Sequence, residues 1–403
     1  MRILMLSQYF WPESFIINDI VRTLAEQGHD VVVATGKPNY PDGKIFDGYC
    51  ARGTQRERYL GKIDVLRVPL WPRGEGGAKN LVLNYLSFVF AGLLFLPWML
   101  RKREFDAVLV FAPSPILQAI PAIPLKWLKK AKLALWIQDL WPESLAATGF
   151  VRNPYLLKVV GWLVRGIYRC CDTLLVQSQA FVEPVSRYAD HNKIVYYPNS
   201  MDARSPGETV SIPCELSDFL ETHFCVVFAG NLGTAQALDT LVHAAEHLKE
   251  DADIRIVVVG SGSRLAWLQE QKTLLGLDNL LLAGRYPSQA MPLIFERSAV
   301  LLVSLNADTI FAQTIPSKIQ AYLAAGRPII GCLNGEGARI IQEAGAGFST
   351  PAEQVLPLVA AIRRMHGCSN LEREAMGVSG RDYFDRNFDM DMQVRRLIDL
   401  LQR

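Results

Sequence analysis

Apolar residues in this chain come in short runs separated by stretches of helical spacing. The first run, "RILMLSQYF", is nearly continuous, as expected of a parallel strand buried on both faces. "FIINDIVRTLAEQGHD" follows, with Ile16, Ile20 and Leu24 one turn apart and Gly28 as a stop, and then "VVVAT" returns to strand character. That is a β-α-β unit. Further strands are predicted at "IDVLRVPL", "FDAVLVFA", "KLALWIQ", "TLLVQS" and "KIVYYP". Their natural assembly is a doubly wound parallel sheet, an α/β fold.

Near residue 203 the alternation gives way to "ARSPGETVSIP", polar and rich in turn formers, which reads as a linker. A second alternation follows, with strands at "CVVFAG", "IRIVVVG", "NLLLAG", "AVLLVSL", "RPIIG" and "AGFST" and a helix at "LDTLVHAAEHLKE". The expected division is a Rossmann-like lobe over 1–202, a linker over 203–222, a second Rossmann-like lobe over 223–375, and a helical tail over 376–403 packing back across the lobes. A chain of 403 residues is long enough for two such cores. Open parallel sheets bind ligands beyond the carboxyl ends of their strands, so the expectation is a cleft between the lobes.

Two features of the first lobe bear on what it faces. "WPES" occurs at Trp11–Ser14 and again at Trp141–Ser144, each time after a predicted strand and so on the expected rim. A tryptophan holding a turn explains both copies without any function. The functional alternative has each proline fix a loop while Trp11, Glu13, Trp141 and Glu143 line the acceptor side. The second feature is "LVLNYLSFVFAGLLFLPWML" (81–100), as long and apolar as a membrane-crossing helix and followed by Arg101-Lys102-Arg103. Crossing would put strands of one sheet on opposite sides of a bilayer. That leaves a core helix, or a helix half sunk in one leaflet with Arg101, Lys102, Arg103 and "KWLKKAK" at the head groups. "LLKVVGWLVRGIYR" (156–169) is a second stretch of the same kind.

Charge sharpens this picture. Residues 1–200 hold 24 Lys and Arg against 16 Asp and Glu, whereas the remainder holds 18 against 24, within an overall charge of +2. Random scatter is the plain explanation. The basic residues sit beside leucines and tryptophans rather than in a regular stripe, which fits a membrane surface better than nucleic acid. The seven cysteines include no CxxC pair, and the start has too short an apolar core for a signal peptide. The expected location is therefore cytoplasmic, peripheral to the inner membrane.

Candidate chemistry concentrates in the second lobe. "FAGNLGTAQALDTL" reads as strand, glycine turn and helix, with backbone N–H groups over Gly230–Thr234, Asn231 and Gly233 among them, available to an anion. "VVGSGSRLAWL" begins like a dinucleotide fingerprint with Gly260-x-Gly262, but Leu265 holds the third glycine position, so it reads as a strand end lining a pocket. Gly284 and Arg285 close the "LLLAG" strand. In "QTIPSKIQAYLAAGRPIIG", Pro316 suits a helix start, Ser317 and Lys318 occupy its first turn, and Gly326 stops it. A helix N-terminus plus a lysine is a diphosphate cradle. Arg285 is the expected second cation and Gln320 the expected ribose partner. The bland alternative is a surface helix with an ordinary lysine.

Two Rossmann-like lobes, a terminal helix, "GNLG…Q", "AGRYP" and "PSKIQAYLAAGRPII" together resemble a GT-B glycosyltransferase of family 4 type. "SQYFWPE", "INDI", "TGKPNYPDG" and "QDLWPES" resemble the N-acetyl-L-fucosaminyl transferases of bacterial O-antigen and capsule clusters. The likeness covers nearly the whole chain. It implies transfer of N-acetyl-L-fucosamine, or a related N-acetylated deoxyhexosamine, from a UDP-sugar to a lipid-diphosphate-linked saccharide, with no cofactor. It places the family's phosphate-binding lysine at Lys318 and its ribose-binding glutamate at Gln320. The chain departs from the family where two glutamates eight positions apart are usual, having Ala312 and Gln320, and where Arg and Lys are usual, having Asn231 and Gln236. No DxD-like carboxylate pair stands at a strand end, which fits metal-independent transfer.

The resemblance implies retention of anomeric configuration. Inversion would instead require a base in the first lobe, for which Glu13, Asp19 and Asp139 are candidates. "GKPNYPDGKIFDGY" is expected to be either a solvent loop or a lid, with Lys37, Asn39 and Tyr40 as acceptor contacts. A UDP-sugar 2-epimerase of the same architecture and a catalytically inactive UDP-sugar-binding protein are the competing functions.

Overall fold

A computed structural model describes residues 1–74, 77–203 and 211–402, which fold as two compact units. The first comprises Met1–Asn199 and the C-terminal helix Met390–Gln402; the second is Ser200–Asp389.

The first unit is built on eight strands: β1 (Arg2–Leu6), β2 (Asp30–Thr35), β3 (Gln55–Tyr59), β4 (Ile63–Arg67), β5 (Ala107–Ala112), β6 (Lys132–Ile137), β7 (Thr173–Val176) and β8 (Ile194–Tyr196). They form one sheet in the order β3-β4-β2-β1-β5-β6-β7-β8, parallel except where β3 meets β4. In β1, Ile3 and Met5 enter one buried layer while Leu4 and Leu6 enter the other, which is why the run is unbroken. The sequence pattern predicts no strand at β3. Of its residues Gln55-Arg56-Glu57-Arg58-Tyr59 only Tyr59 is buried, the composition of an edge strand protected by charge. Order reverses around β1, with β2 on one side and β5 on the other, so the loops leaving β1, β2, β4, β5 and β6 share one edge.

The apolar stretch after β4 is a helix over Ala78–Met99. Asn84, Phe88, Ala91, Leu96 and Met99 are buried, whereas Val82, Leu86, Phe90, Leu94 and Trp98 are exposed. Of its most apolar window 39% is buried, so the helix lays one side on the sheet and leaves the other to solvent. Several cations expected at head groups are engaged inside the unit. Lys126 donates to the Cys170 carbonyl (2.9 Å) and pairs with Asp172 (2.6 Å), and Lys129 donates to the carbonyls of Leu100 (2.6 Å) and Arg103 (2.8 Å). Both thus cap helix ends. Arg103 pairs with Asp64, and Arg101 lies 4.6 Å from the Trp98 ring centroid. Lys102 and Lys130 remain exposed.

The second unit repeats the plan with β9 (Phe224–Ala229), β10 (Ile254–Val259), β11 (Leu280–Gly284), β12 (Val300–Ser304), β13 (Ile329–Cys332) and β14 (Gly347–Thr350), all parallel, in the order β11-β10-β9-β12-β13-β14. Val226 and Phe228 of β9 face one core and Cys225, Val227 and Ala229 the other.

Of the expected linker, residues 204–210 lie outside the described residues. Cys214–Thr222 is a helix whose Leu216 and Leu220 are buried in the second unit, a tether hidden by polar neighbours. The tail is two helices. Asn370–Asn387 packs on Ser317–Ala324 in the second unit. Met390–Gln402 packs on Ile16–Glu26 in the first, where the Tyr197 hydroxyl donates to the Gln393 carbonyl at 2.9 Å.

Candidate active site

In the second unit, the helix Ser317–Ala324 is pinned to the end of β9 by one side chain. The buried Tyr322 hydroxyl accepts from the Ala229 N–H at 3.0 Å and lies 3.4 Å from the Ala229 carbonyl. Lys318, one turn earlier, shares its face. Its Nζ therefore sits 3.8 Å from the Phe228 ring centroid and donates to Gln236 Oε1 at 2.5 Å. No carboxylate among the described residues pairs with it, and burial lowers its pKa from 10.5 to about 7. An ammonium desolvated on an aromatic face, with no counter-ion, is prepared for an incoming anion.

Glycine is required around this lysine. A Cβ on Gly230, whose φ is +137°, would meet Lys318 Cε at 2.6 Å. A Cβ on Gly260 would lie 1.9 Å from the Gly230 carbonyl oxygen, so the loops after β9 and β10 interlock backbone to backbone. Gly260-x-Gly262 is thus a close-approach pair rather than a dinucleotide loop.

The expected N–H cradle is smaller than the sequence suggests, since Gly230 and Leu232 donate to the carbonyls of Val259 (2.9 Å) and Ser261 (2.9 Å). Asn231 and Ser317 are both exposed. Pro316 supplies no side-chain cap and its carbonyl takes the Ile319 N–H at 3.0 Å, leaving those of Ser317 and Lys318 for a ligand or water. Gly284 ends β11 with φ +81°, and Arg285 beyond it has no ion pair among the described residues. Gln320, the expected ribose partner, is 4% exposed and already engaged within the unit.

Sequence reasoning missed Gln236 as the lysine's partner. It also missed Asn306, which accepts from the Ala237 N–H (3.0 Å) and donates to the Thr234 carbonyl (2.9 Å), bracing the same turn. A hollow of about 1040 Å³ lined by His223, Arg297 and Arg373 lies at the opposite, amino ends of these strands and takes no part.

In the first unit, Glu13 is 2% exposed. Its Oε1 accepts from the N–H groups of Asn39 and Tyr40, both at 2.8 Å, and its Oε2 from Phe10 at 3.2 Å. Burial raises its pKa to about 6 against the opposing pull of those three donors. This corrects the expectation that Glu13 lines the acceptor side: it ties the loop after β2 to the loop after β1. Lys37 and Asn39 are corrected likewise, both being buried. Lys37 donates to Gln55 Oε1 at 2.7 Å, and burial lowers its pKa, with the neighbouring Arg67 acting in the same sense. Arg67, fully buried, donates to Glu57 (2.5 Å), to the Gly36 carbonyl (2.9 Å) and to the Trp11 carbonyl. Gln8, Asn84 and Gln118 complete a buried polar network, with Gln8 Nε2 donating to Asn84 Oδ1 at 2.6 Å and the Gln8 N–H donating to Gln118 Oε1 at 2.8 Å.

Asp19, in the first turn of Ile16–Glu26, is ion-paired with Arg22 at 3.1 Å on that helix. Asp139 stands just beyond β6 and accepts from Trp141 Nε1 at 3.1 Å. Its field and that of Arg73 both reach the Tyr85 hydroxyl, whose pKa is raised chiefly by burial. Tyr40 and Trp11 are each 39% exposed and Trp141 is 8% exposed, while Glu143 is half-buried. Of the three base candidates, Asp139 alone is neither buried nor ion-paired among the described residues.

Two family models match the chain: "Glycosyl transferase 4-like domain" over residues 15–200 and "Glycosyl transferases group 1" over 223–367. The chain is a GT-B glycosyltransferase of the group 1, GT4 type. This glycosyltransferase is 23% identical to the putative colanic acid biosynthesis glycosyl transferase WcaI of Escherichia coli (strain K12), with 94% of each chain covered. It is 22% identical to the probable glycosyltransferase WbjE of Pseudomonas aeruginosa, with 77% of this chain and 78% of that one covered. Among solved structures, Anabaena Alr3699/HepE in complex with UDP superposes with a TM-score of 0.68 at 13% identity, covering 100% of this chain and 99% of that one. The sucrose-phosphate synthase of Thermosynechococcus elongatus gives 0.70 at 14% identity, covering 99% and 98%. These likenesses fix the fold of the glycosyltransferase as GT-B.

Proposed function

We propose that this glycosyltransferase moves N-acetyl-L-fucosamine, or a related N-acetylated deoxyhexosamine, from its UDP-sugar to a lipid-diphosphate-linked saccharide during O-antigen or capsule synthesis. The reaction is metal-independent and runs in the cytoplasm at the inner face of the membrane. The observation that carries the reading is Lys318, half-buried and without a counter-ion among the described residues at the start of a helix. A UDP diphosphate supplies the missing charge, and a protonated Lys318 then stabilises the leaving nucleotide, assisted by Arg285 and the helix N-terminus. A bound UDP in a structure of the same fold supports the donor class, and the printed role of the colanic acid relative supports polysaccharide synthesis. The first-unit signatures carry the choice of sugar. Membrane association is supported by the exposed apolar side chains Phe90, Leu94 and Trp98 of one helix and Trp127, Val159 and Trp162 of two others.

The test is a donor screen with a synthetic GlcNAc-diphosphate-lipid acceptor, read by mass spectrometry, with UDP-N-acetyl-L-fucosamine, UDP-GlcNAc and UDP-Glc. A product with the first alone supports the proposal. Product with another donor alone overturns the sugar, and NMR of the product decides retention against inversion. Calorimetry of Lys318→Met should show UDP binding weakened by about 10- to 100-fold, the loss of a charge-assisted hydrogen bond. Because the protonated fraction of Lys318 falls as pH rises through about 7, wild-type affinity should weaken between pH 7 and 9. That slope should vanish in the variant; a slope that persists would place the titrating group elsewhere.

A further inference from the structure

Among the described residues, three cations are packed at the carboxyl edge of the first sheet, and two are spent. Lys37 is buried on Gln55, and Arg67 is buried on Glu57 and two carbonyls. The third, Arg73, has no ion pair among the described residues. Its guanidinium lies 5.2 Å from the Tyr40 ring centroid and 6.0 Å from that of Tyr9. Tyr40 in turn meets Phe15 at 5.3 Å, so the cation rests on an aromatic platform whose outer ring is open to solvent.

The backbone beneath Arg73 is fixed on both sides. Its N–H donates to the buried Asn39 Oδ1 at 3.2 Å, and the N–H of Gly74 donates to the Gly43 carbonyl at 2.9 Å. Asn39 Oδ1 also accepts from the buried Asn84 Nδ2 at 3.3 Å. A Cβ on Gly43 would lie 1.8 Å from the Gly74 carbonyl oxygen, so these loops can meet only through glycine. An unpaired guanidinium on so constrained a support is preorganised for an anion, and its fork matches two phosphate oxygens.

The helix that comes after Arg73 in the chain narrows the choice of anion. Val82, Leu86, Phe90, Leu94 and Trp98 recur every four residues along Ala78–Met99 and are all exposed. At 1.5 Å per residue they make an apolar stripe about 24 Å long, starting at the end nearest Arg73. Cation first and hydrocarbon surface after is the complement of an amphiphile with an anionic head and a long apolar tail. We propose that Arg73 binds the diphosphate of the lipid-linked acceptor and that the stripe carries the start of its polyprenyl chain. This rests on the acceptor class proposed above, and it adds a phosphate contact on the first unit separate from Lys318.

The experiment uses the full chain and Arg73→Met, which keeps length and removes charge, with circular dichroism melts to establish folding. Direct binding of geranylgeranyl diphosphate in detergent needs no turnover. Wild type should bind it, inorganic pyrophosphate should compete, and Arg73→Met should bind at least tenfold more weakly with UDP affinity unaltered. The acceptor KM should rise at least tenfold, well beyond any fall in kcat. Phe90→Ser/Leu94→Ser should weaken the lipid diphosphate but not pyrophosphate. If Arg73→Met does not fold, Arg73→Lys takes its place and should raise the acceptor KM by a smaller factor. No binding by wild type, or equal binding by the variants, overturns the inference. So does an equal loss by Arg73→Met on phosphatidylglycerol vesicles lacking any diphosphate lipid, which would make Arg73 a general head-group contact. Turnover with an unchanged acceptor KM in Arg73→Met removes this site and leaves the transferase reading intact. Binding that depends on Arg73 without sugar transfer does the reverse.

Discussion

The two Trp-Pro-Glu-Ser turns share a tetrapeptide, a cis Trp-Pro bond and a place after a strand of the same sheet, yet their side chains exchange roles. In the first copy Trp11 is 39% exposed and Glu13 is 2% exposed. In the second, Trp141 is 8% exposed and donates to Asp139, while Glu143 lies half-buried in the first turn of a short helix. The difference arises outside the tetrapeptide. The loop after β2 brings the Asn39 and Tyr40 N–H groups to Glu13. Glu143 has no comparable donors among the described residues, and Asp139, two residues before the tryptophan, draws the second indole inward instead. A carboxylate at the end of a strand is therefore a clamp or an open group according to the N–H groups its neighbours supply.

The strongest way to break this comparison is to remove both carboxylates in turn. Glu13→Ala strands three buried N–H groups and should cost on the order of 3–5 kcal/mol. Glu143→Ala should stay within about 0.5 kcal/mol, the ordinary cost away from special features. Urea denaturation of both variants measures this. Equal losses would mean that the second turn has a clamp of its own.

The reach of sequence has the same boundary. Strand β1 was legible because burial on both faces leaves an unbroken apolar run, and the helix carrying Lys318 was legible because its start and stop signals are local. The edge strand β3 was not, since a charged edge reads as loop. The polar network was hidden for another reason. Gln8 meets Gln118 and Asn84 across separations of 110 and 76 residues, and no local pattern marks such pairs. Lys37 and Asn39 looked like loop contacts because lysine and asparagine are usually exposed; partners elsewhere in the chain bury them. The sequence therefore located the two candidate edges, but not which of their charges are already neutralised.

A smaller effect sharpens the comparison by titration. With its pKa raised from 4.5 to about 6, Glu13 holds its proton more tightly in the folded than in the unfolded chain. Its contribution to stability is then fully present below pH 4.5 and is lost as pH rises through 6, by about 2 kcal/mol from a shift of this size. Glu13→Gln should lack that slope, so that it appears in the difference between wild type and variant, measured by urea denaturation from pH 4 to 7. Glu143→Gln should leave it in place. A wild-type slope that survives Glu13→Gln would assign it to another group.

The smallest effect concerns the two indoles. Trp141→Phe removes the hydrogen bond to Asp139 and part of a buried ring, and should cost about 1–2 kcal/mol. Trp11→Phe keeps most of an exposed contact with Tyr59 (5.7 Å between centroids) and should cost under about 0.5 kcal/mol. Activity should separate them along a different axis. Trp11, open at the same edge as Tyr40, should show its change in the acceptor KM. Trp141 donates to Asp139, so its change should appear in kcat rather than in the acceptor KM. Rescue of kcat by Trp141→His, which restores a ring N–H, would tie it to the Asp139 hydrogen bond. A Trp141→Phe enzyme with an unaltered kcat would leave Asp139 without a part in catalysis, and the two turns would then differ in packing alone.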